Sequence, residues 1–389
     1  YANNGSITLN DLAVDGTIGL NTHGTGDATV VNDAGFQFAA SSVGGNLHAT
    51  ATTGNMTQSG ALDIEGTTTL ITSADDATIT LGTTSNAFTG ALLITTNDSG
   101  TDTAGDVSVH GGTTALVIGD STVDGDLTLT STATGAAAIA DTGRLNIRGI
   151  TTVSASGVNV TLNTTTNNFQ GAVKIGGVNV TVVDAGAIDL GASTVTGTYA
   201  VTATAGGDIT DSGVLTITGA ATFTAANGQS IYLDGANTFS NTVAFSSGGT
   251  LANVTIRDSN DFDLSALTLS GNLIATSTGG SITDSGALGI SGTSLFTTST
   301  NNKDITLDTT TNAFTGAVTL NTTGSTGNAE VDGGTTQLDI AASTIGGNLS
   351  LTSGHATGIT DSGTVTVGGN LAVTNNVSNG DINMGSLAV

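Results

Sequence analysis

Cysteine, proline and tryptophan are absent from this 389-residue chain, Lys and Arg number five together, and aromatics make up 3%. Without Cys there is no disulfide framework and no Cys-ligated zinc or iron–sulfur site. Five cations against 31 acidic residues, a formal charge of −26, cannot neutralise a row of phosphates, so no nucleic-acid partner is expected. No apolar run approaches the roughly 18 residues of a membrane-spanning helix. Three Tyr and ten Phe are too few for the aromatic girdles of an outer-membrane barrel, so membrane insertion is not expected either. The opening residues Y-A-N-N-G-S-I-T-L lack a charged n-region and an apolar h-region, and any signal peptide is expected to have been removed.

What remains is a chain with 57 Gly and 37% hydrophobic residues, mostly Val, Ile, Leu and Ala. That β-branched density is wrong for a disordered Gly/Ser/Thr-rich segment. Self-comparison shows why. The motif I-T-D-S-G-x-L-x-I-x-G recurs around Gly213, Gly286 and Gly363, with weaker copies at Gly60 and Gly143. A second motif, I-T-L-x-T-T-T-N-A-F-T-G-A-V, carries Phe88, Phe169, Phe239 and Phe314, and a third, S-T-V-x-G-N-L, marks Gly45, Gly125, Gly197, Gly271 and Gly347. All three keep one cyclic order with a period of about 75 residues. The segment from Asn4 matches the segment from Asn379, five periods later, and the sixth period breaks off at Val389. Residues 1–389 read as a single continuous repeat domain.

Inside each period, runs such as L-T-L-T, I-T-L and L-A-V alternate apolar residues with Thr and are separated by Gly, Asn, Asp and Ser. This is the pattern of half-buried strands, and runs this short cannot stand as independent hairpins. The expected fold is all-β: a right-handed parallel β-solenoid in which each strand pairs with the strand one coil above. About four coils of 18–20 residues per period predict about 20 coils and a rod on the order of 100 Å long. One Phe per period plugs an aliphatic interior, and length variation between periods belongs in corner loops. A string of immunoglobulin-like sandwiches would want more aromatics, and a calcium-binding roll would want tandem nonapeptides that the lone G-G-D at Gly206 to Asp208 does not supply.

The search for chemistry yields no catalytic, cofactor-binding or metal-ligating residues. The Asp-Ser-Gly turns at Asp211, Asp284 and Asp361 recur once per period, about 19 Å apart, too far to share a metal. Their expected role is local, with Asp and Ser bonding their own backbone and Gly supplying positive φ. Arg144 and Arg148, on one side of R-L-N-I-R with Asp141 nearby, are read as a salt-bridge partner or a break in an acidic face. Lys174, Arg257 and Lys303 are scattered, and His23, His48, His110 and His355 fall in different periods without ligand spacing. Threonine rows raise ice binding, but T-x-T does not hold one phase. Asn-rich turns (T-T-N-N, N-T-T-T-N-N, S-T-N-N) suggest stacked amide ladders inside the coil. Sequons at Asn159 and Asn321 are expected by chance in such a composition.

Through the I-T-D-S-G-A-L and T-T-T-N-A-F-T-G-A-V blocks and the coil length, the chain resembles bacterial filamentous-haemagglutinin-like exoproteins and related giant β-solenoid surface adhesins. The resemblance implies export through an outer-membrane partner and a role in adhesion, biofilm or fibre formation. It carries no site residues. The expectation is a secreted structural protein, a rod- or fibre-forming segment of a surface adhesin or extracellular filament, without enzymatic activity or cofactor. Neither end reads as a polar cap, so its partners are expected to be flanking coils or further copies stacked end to end, and cell-surface glycan or matrix. A carbohydrate-binding or carbohydrate-cleaving β-helix is the alternative, and ice binding a more distant one.

Overall fold

Apolar residues at every second position can be buried only if the strand lies flat on a core with its Thr and Ser outward. The computed structural model follows that rule in most strands and describes residues 4–97, 104–135 and 138–388. Tyr1 and Val389 lie outside the described residues, as do residues 98–103, which belong to the longest step of the repeat. Leu47, Ala49 and Ala51 are buried while His48 and Thr50 between them are not, and the same alternation runs through Leu127–Thr130 and Leu349–Ser353. All strand pairs are parallel. Ala28 pairs with Leu47, Leu47 with Thr68 and Thr68 with Leu92, so a turn takes 19, 21 or 24 residues there.

The protein is a parallel β-solenoid of about 17 turns. The turns are fewer and longer than the expected 20 coils of 18–20 residues, because each holds one long strand and a bent pair of short ones. The additional corner consumes residues. Contacts divide the chain into two compact units, Tyr1–Gly197 and Thr198–Val389.

In the first unit four long strands stack on one sheet: Ala28–Asn32, Leu47–Ala51, Thr68–Asp75 and Leu92–Asn97. Opposite them lie the short pairs, for example Met56–Gln58 with Leu62–Ile64. Then the roles exchange. Val107–His110, Leu127–Thr130, Thr151–Ser154 and Val173–Gly177 stack as long strands on the opposite sheet, and the short pairs move across. The second unit repeats the exchange: Val254–Asp258, Leu273–Ser277, Ser294–Thr298 and Val318–Asn321 form one long-strand stack, followed on the other sheet by Ala329–Asp332, Leu349–Ser353 and Leu371–Asn375. Four long strands with three short pairs between them make three and a half turns per sequence period. Equivalent segments such as Leu47–Ala51 and Leu127–Thr130 therefore sit on opposite sheets within one unit.

Each exchange leaves a backbone problem. The long strand Leu92–Asn97 is covered by two short strands, with Leu92 facing Ile118 and Thr95 facing Thr122. An N–H in the middle of that strand then faces a corner instead of a carbonyl. A buried serine from the S-T-V motif replaces the missing acceptor. Ile94 N donates to Ser121 Oγ, Ile175 N to Ser193 Oγ and Leu320 N to Ser343 Oγ, each at 3.0 Å. The hydroxyls in turn donate to Gly119 O, Gly191 O and Ala341 O. In S-A-L-T-L-S-G-N-L the same position is held by the buried Leu267.

All ten Phe are buried, and the four recurrent ones, Phe88, Phe169, Phe239 and Phe314, are at most 2% exposed. In the second unit Phe223 gathers Tyr199, Phe239 and Phe245 at ring separations of 6.0, 6.0 and 6.1 Å, while Phe314 meets Phe296 edge-on at 6.2 Å. Two outcomes follow for denaturant melts of the chain. Phe314→Ala is expected to cost about 3–5 kcal/mol. Ser343→Ala removes less volume but strands the Leu320 N–H, and is expected to cost about 1–3 kcal/mol; an unchanged midpoint would show that another acceptor reaches that amide.

Candidate functional site: the joint between repeats

The two motifs most visible in the sequence are halves of one interaction. The Asp of I-T-D-S-G-x-L ends a short strand, and the chain bends there before the following Leu. From the next turn, the Asn that precedes the recurrent Phe enters this bend from inside. Asn312 Nδ2 donates to Asp284 Oδ2 at 2.7 Å, and Asn312 Oδ1 accepts from Leu288 N at 2.8 Å. Asn237 does the same with Asp211 (2.7 Å) and Leu215 (2.8 Å), and Asn167 with Asp141 (2.6 Å) and Leu145 (2.8 Å). In the first period Gln58 stands in for Asp. It forms a reciprocal amide pair with Asn86 at 2.8 and 2.9 Å, and Leu62 N again donates to Asn86 Oδ1.

A third side chain completes two of these columns from the strand that opens the next long stack. Phe169 N donates to Asp184 Oδ2 at 2.7 Å, and Phe239 N to Asp258 Oδ1 at 3.0 Å. Asn237 and Asp258 are direct strand partners. In the other two stacks the same inward position is Gly111 or Gly333, and one residue earlier, on the outward side, His110 Nδ1 accepts from Gly112 N and Asp332 Oδ1 from Gly334 N, while His110 O accepts from Asn86 Nδ2. The columns are Gln58–Asn86, Asp141–Asn167–Asp184, Asp211–Asn237–Asp258 and Asp284–Asn312. Each lies where one long-strand stack gives way to the next. The four Asn are at most 2% exposed, and Asp184 and Asp258 are at most 1%. Burial pushes the carboxyls of Asp184, Asp211, Asp258 and Asp284 above their ordinary range, against the opposing pull of their hydrogen bonds.

This corrects the local reading of the Asp-Ser-Gly turns. Asp211 and Asp284 bond across turns, and Asp361 accepts from Gly385 N and Ser386 N, 24 and 25 residues on. Nor is Gly286 or Gly363 among the residues with positive φ. Glycine is required there because a Cβ would collide with the backbone of Ala266 or Ala342 in the turn before. The G-N-L glycines answer a different neighbour: a Cβ on Gly271 would meet Asn253 Oδ1.

That neighbour belongs to the continuous polar ladder, which runs along the exposed G-N-L corners instead of inside the Asn-rich turns. Ser6 Oγ, Asp27 Oδ1 and Asn46 Oδ1 accept in succession from the backbone of Asp27, Asn46 and Thr67. In the second unit Asp304, Asn328 and Asn348 accept from Asn328, Asn348 and Asn370, each at 2.8 Å. The interior Asn form one rung per repeat.

The remaining polar residues do not converge. Arg144, Asn146 and Arg148 share the outward side of their strand, and Arg144 reaches Asn146 Oδ1 at 3.4 Å, while Asp141 turns inward to its column. Lys303 pairs with Asp261 at 3.7 Å beside a shallow cleft of about 460 Å³ that Phe262, Asp263 and Thr283 also line. His355 Nδ1 lies 2.7 Å from Thr357 Oγ1, which donates to Gln337, closing a corner. Outward Thr128 and Thr130 stack between Ser108/His110 and Thr152/Ser154, but the next turn presents Lys174 and Gly176. Among the described residues no group of three or more His, Asp or Glu is arranged to hold a metal ion. No helix is long and apolar enough to cross a membrane.

The column is therefore a fastening whose loss is measurable. Asn312→Ala deprives the Asp284 carboxylate and the Leu288 N–H of their partners together and is expected to cost roughly 3 kcal/mol. Double-mutant cycles with Asp284→Ala are expected to show strong coupling, and additive losses would deny that the two act as one clamp.

No curated protein and no solved structure matches the chain. One family does, at residues 25–95, 104–176, 177–246, 251–321 and 326–387. Each match opens three residues before the first strand of a long stack, at Ala28, Val107, Val180, Val254 and Ala329, and Asp184 and Asp258 reach back across a boundary into the match before. The chain belongs to the family described as Repeats of unknown function (DUF5649).

Proposed function

We propose that the chain is a structural segment of an extracellular filament or bacterial surface adhesin, acting through length and a repetitive acidic surface and without catalysis. The observation that carries this reading is the joint itself. Buried polar residues, which in an enzyme would line a cleft, are here spent on fastening one turn to the next. The resemblance of the repeat blocks to filamentous-haemagglutinin-like exoproteins supports a secreted location, and a charge of −26 keeps neighbouring copies from clumping side to side.

The partners of this reading are further solenoid turns, from flanking repeats or from another copy, together with cell-surface glycan or matrix. Apolar residues in line with the buried stack support the first. Ile382 and Leu387 pair with Ile359 and Val365 yet stay 50% and 41% exposed, and Leu9 is 38% exposed. These are positions that another turn would cover.

Two measurements test the proposal. Negative-stain electron microscopy of the purified chain is expected to show filaments whose number grows with concentration; discrete monomers at high concentration would remove end-to-end stacking. Antibody against the chain is expected to label intact cells that express it, and labelling that requires permeabilisation would remove the surface location.

A further inference from the structure

We propose that Asp258 and Asp284 make the two joints of the second unit, Asp211–Asn237–Asp258 and Asp284–Asn312, acid-set fastenings: they tighten as protons become available and loosen as the medium turns alkaline. The first joint, Gln58–Asn86, is a carboxylate-free version of the same clamp and does not tighten.

The geometry supplies the reason. Asp258 is fully buried, and only its Oδ1 is engaged, by Phe239 N at 3.0 Å and Asn260 N at 3.3 Å. Its Oδ2 is buried without a hydrogen-bond partner. An ionised carboxylate in that position holds part of its charge on an oxygen that neither water nor a donor solvates, and a proton removes it. Asp284 is 8% exposed and uses Oδ2 to receive Asn312. A proton on Oδ1 leaves that bond in place, so neutralisation relieves the buried charge without opening the clamp.

The surroundings push the same way. Asp234 lies beside Asp211, Asp261 beside Asp258, and Asp308 beside Asp284, each raising the cost of the neighbouring charge. Asp263, on the turn below Asp284, receives Thr283 and Ser285 hydroxyls. The nearby cations are turned elsewhere: Arg257 is exposed on the outward side of the strand whose inward side buries Asp258, and Lys303 pairs with Asp261. Above Asp258 the strand partner is Ser277, which is neutral.

The sign follows from proton linkage. Carboxyls held above their ordinary value of 3.8 bind protons more tightly folded than unfolded. Their contribution to stability is complete below that value and is lost as pH rises through the folded one.

The test compares the full chain at pH 7.5 and pH 5 by thermal melting. The wild-type midpoint is expected to rise as the pH falls. Asp258→Asn with Asp284→Asn should start higher at pH 7.5 and rise distinctly less. Asp11→Asn with Asp15→Asn, which removes the same charge from exposed positions, should keep the wild-type response. A double variant with the full wild-type rise, or a wild type that only loses stability toward pH 5, would overturn the proposal. Hydrogen exchange on the wild type needs no folded variant. After correction for intrinsic rates, the Leu288 amide, held by Asn312, should gain protection at pH 5, and the Leu62 amide, held by Asn86, should not. Equal changes at the two amides would count against the joints as the responsive element.

Discussion

Within each unit the strands satisfy their backbone mainly on the turn above and the turn below, and that single requirement shapes the rest. A parallel ladder about 4.8 Å per step has no tolerance for a residue that lacks an N–H, which is why the chain does without proline. It also brings corner against corner at the same spacing. Where two turns meet at Gly286 and Ala266, or at Gly271 and Asn253, there is no room for a Cβ. Glycine abundance in this chain reflects close approach of neighbouring turns more than backbone freedom.

The ladder alone does not close the interior. Short strands with bends between them leave N–H groups facing corners, and the chain answers with side chains that imitate backbone acceptors. Buried serines serve the strand exchange, exposed Asn and Asp serve the G-N-L corners, and the inward Asn serves the Asp-Ser-Gly bend. Each acceptor comes from an adjacent turn, so polar closure and turn stacking reinforce one another. Carboxylates in the columns are the exception in cost: they complete the bonding but keep charge where water does not reach.

Much of the architecture was legible beforehand. Period-two alternation, short runs and a repeat near 75 residues are enough for a parallel solenoid, because alternation dictates which side of each strand is buried and the repeat dictates stacking. The residues per turn were less accessible. Period length is compatible with four short turns or three and a half longer ones, and only pairing register, such as Thr68 with Leu92, distinguishes them. The column was half legible. I-T-D-S-G-x-L and T-N-A-F were both visible as motifs, yet nothing in linear spacing shows that Asp284 and Asn312, 28 residues apart, touch. A signal did exist: the period with Gln58 in place of Asp keeps its Asn86, which marks the two positions as hydrogen-bonding partners instead of metal ligands or self-contained turns.

The half turn left over in each repeat sets an arithmetic for the growth of such arrays. Duplicating one repeat reverses the side to which every later copy of a given outward residue points, whereas duplicating two restores it. Within one unit, successive copies of a side chain thus face opposite sides. Parity of copy number, as well as copy number itself, becomes a property on which selection can act.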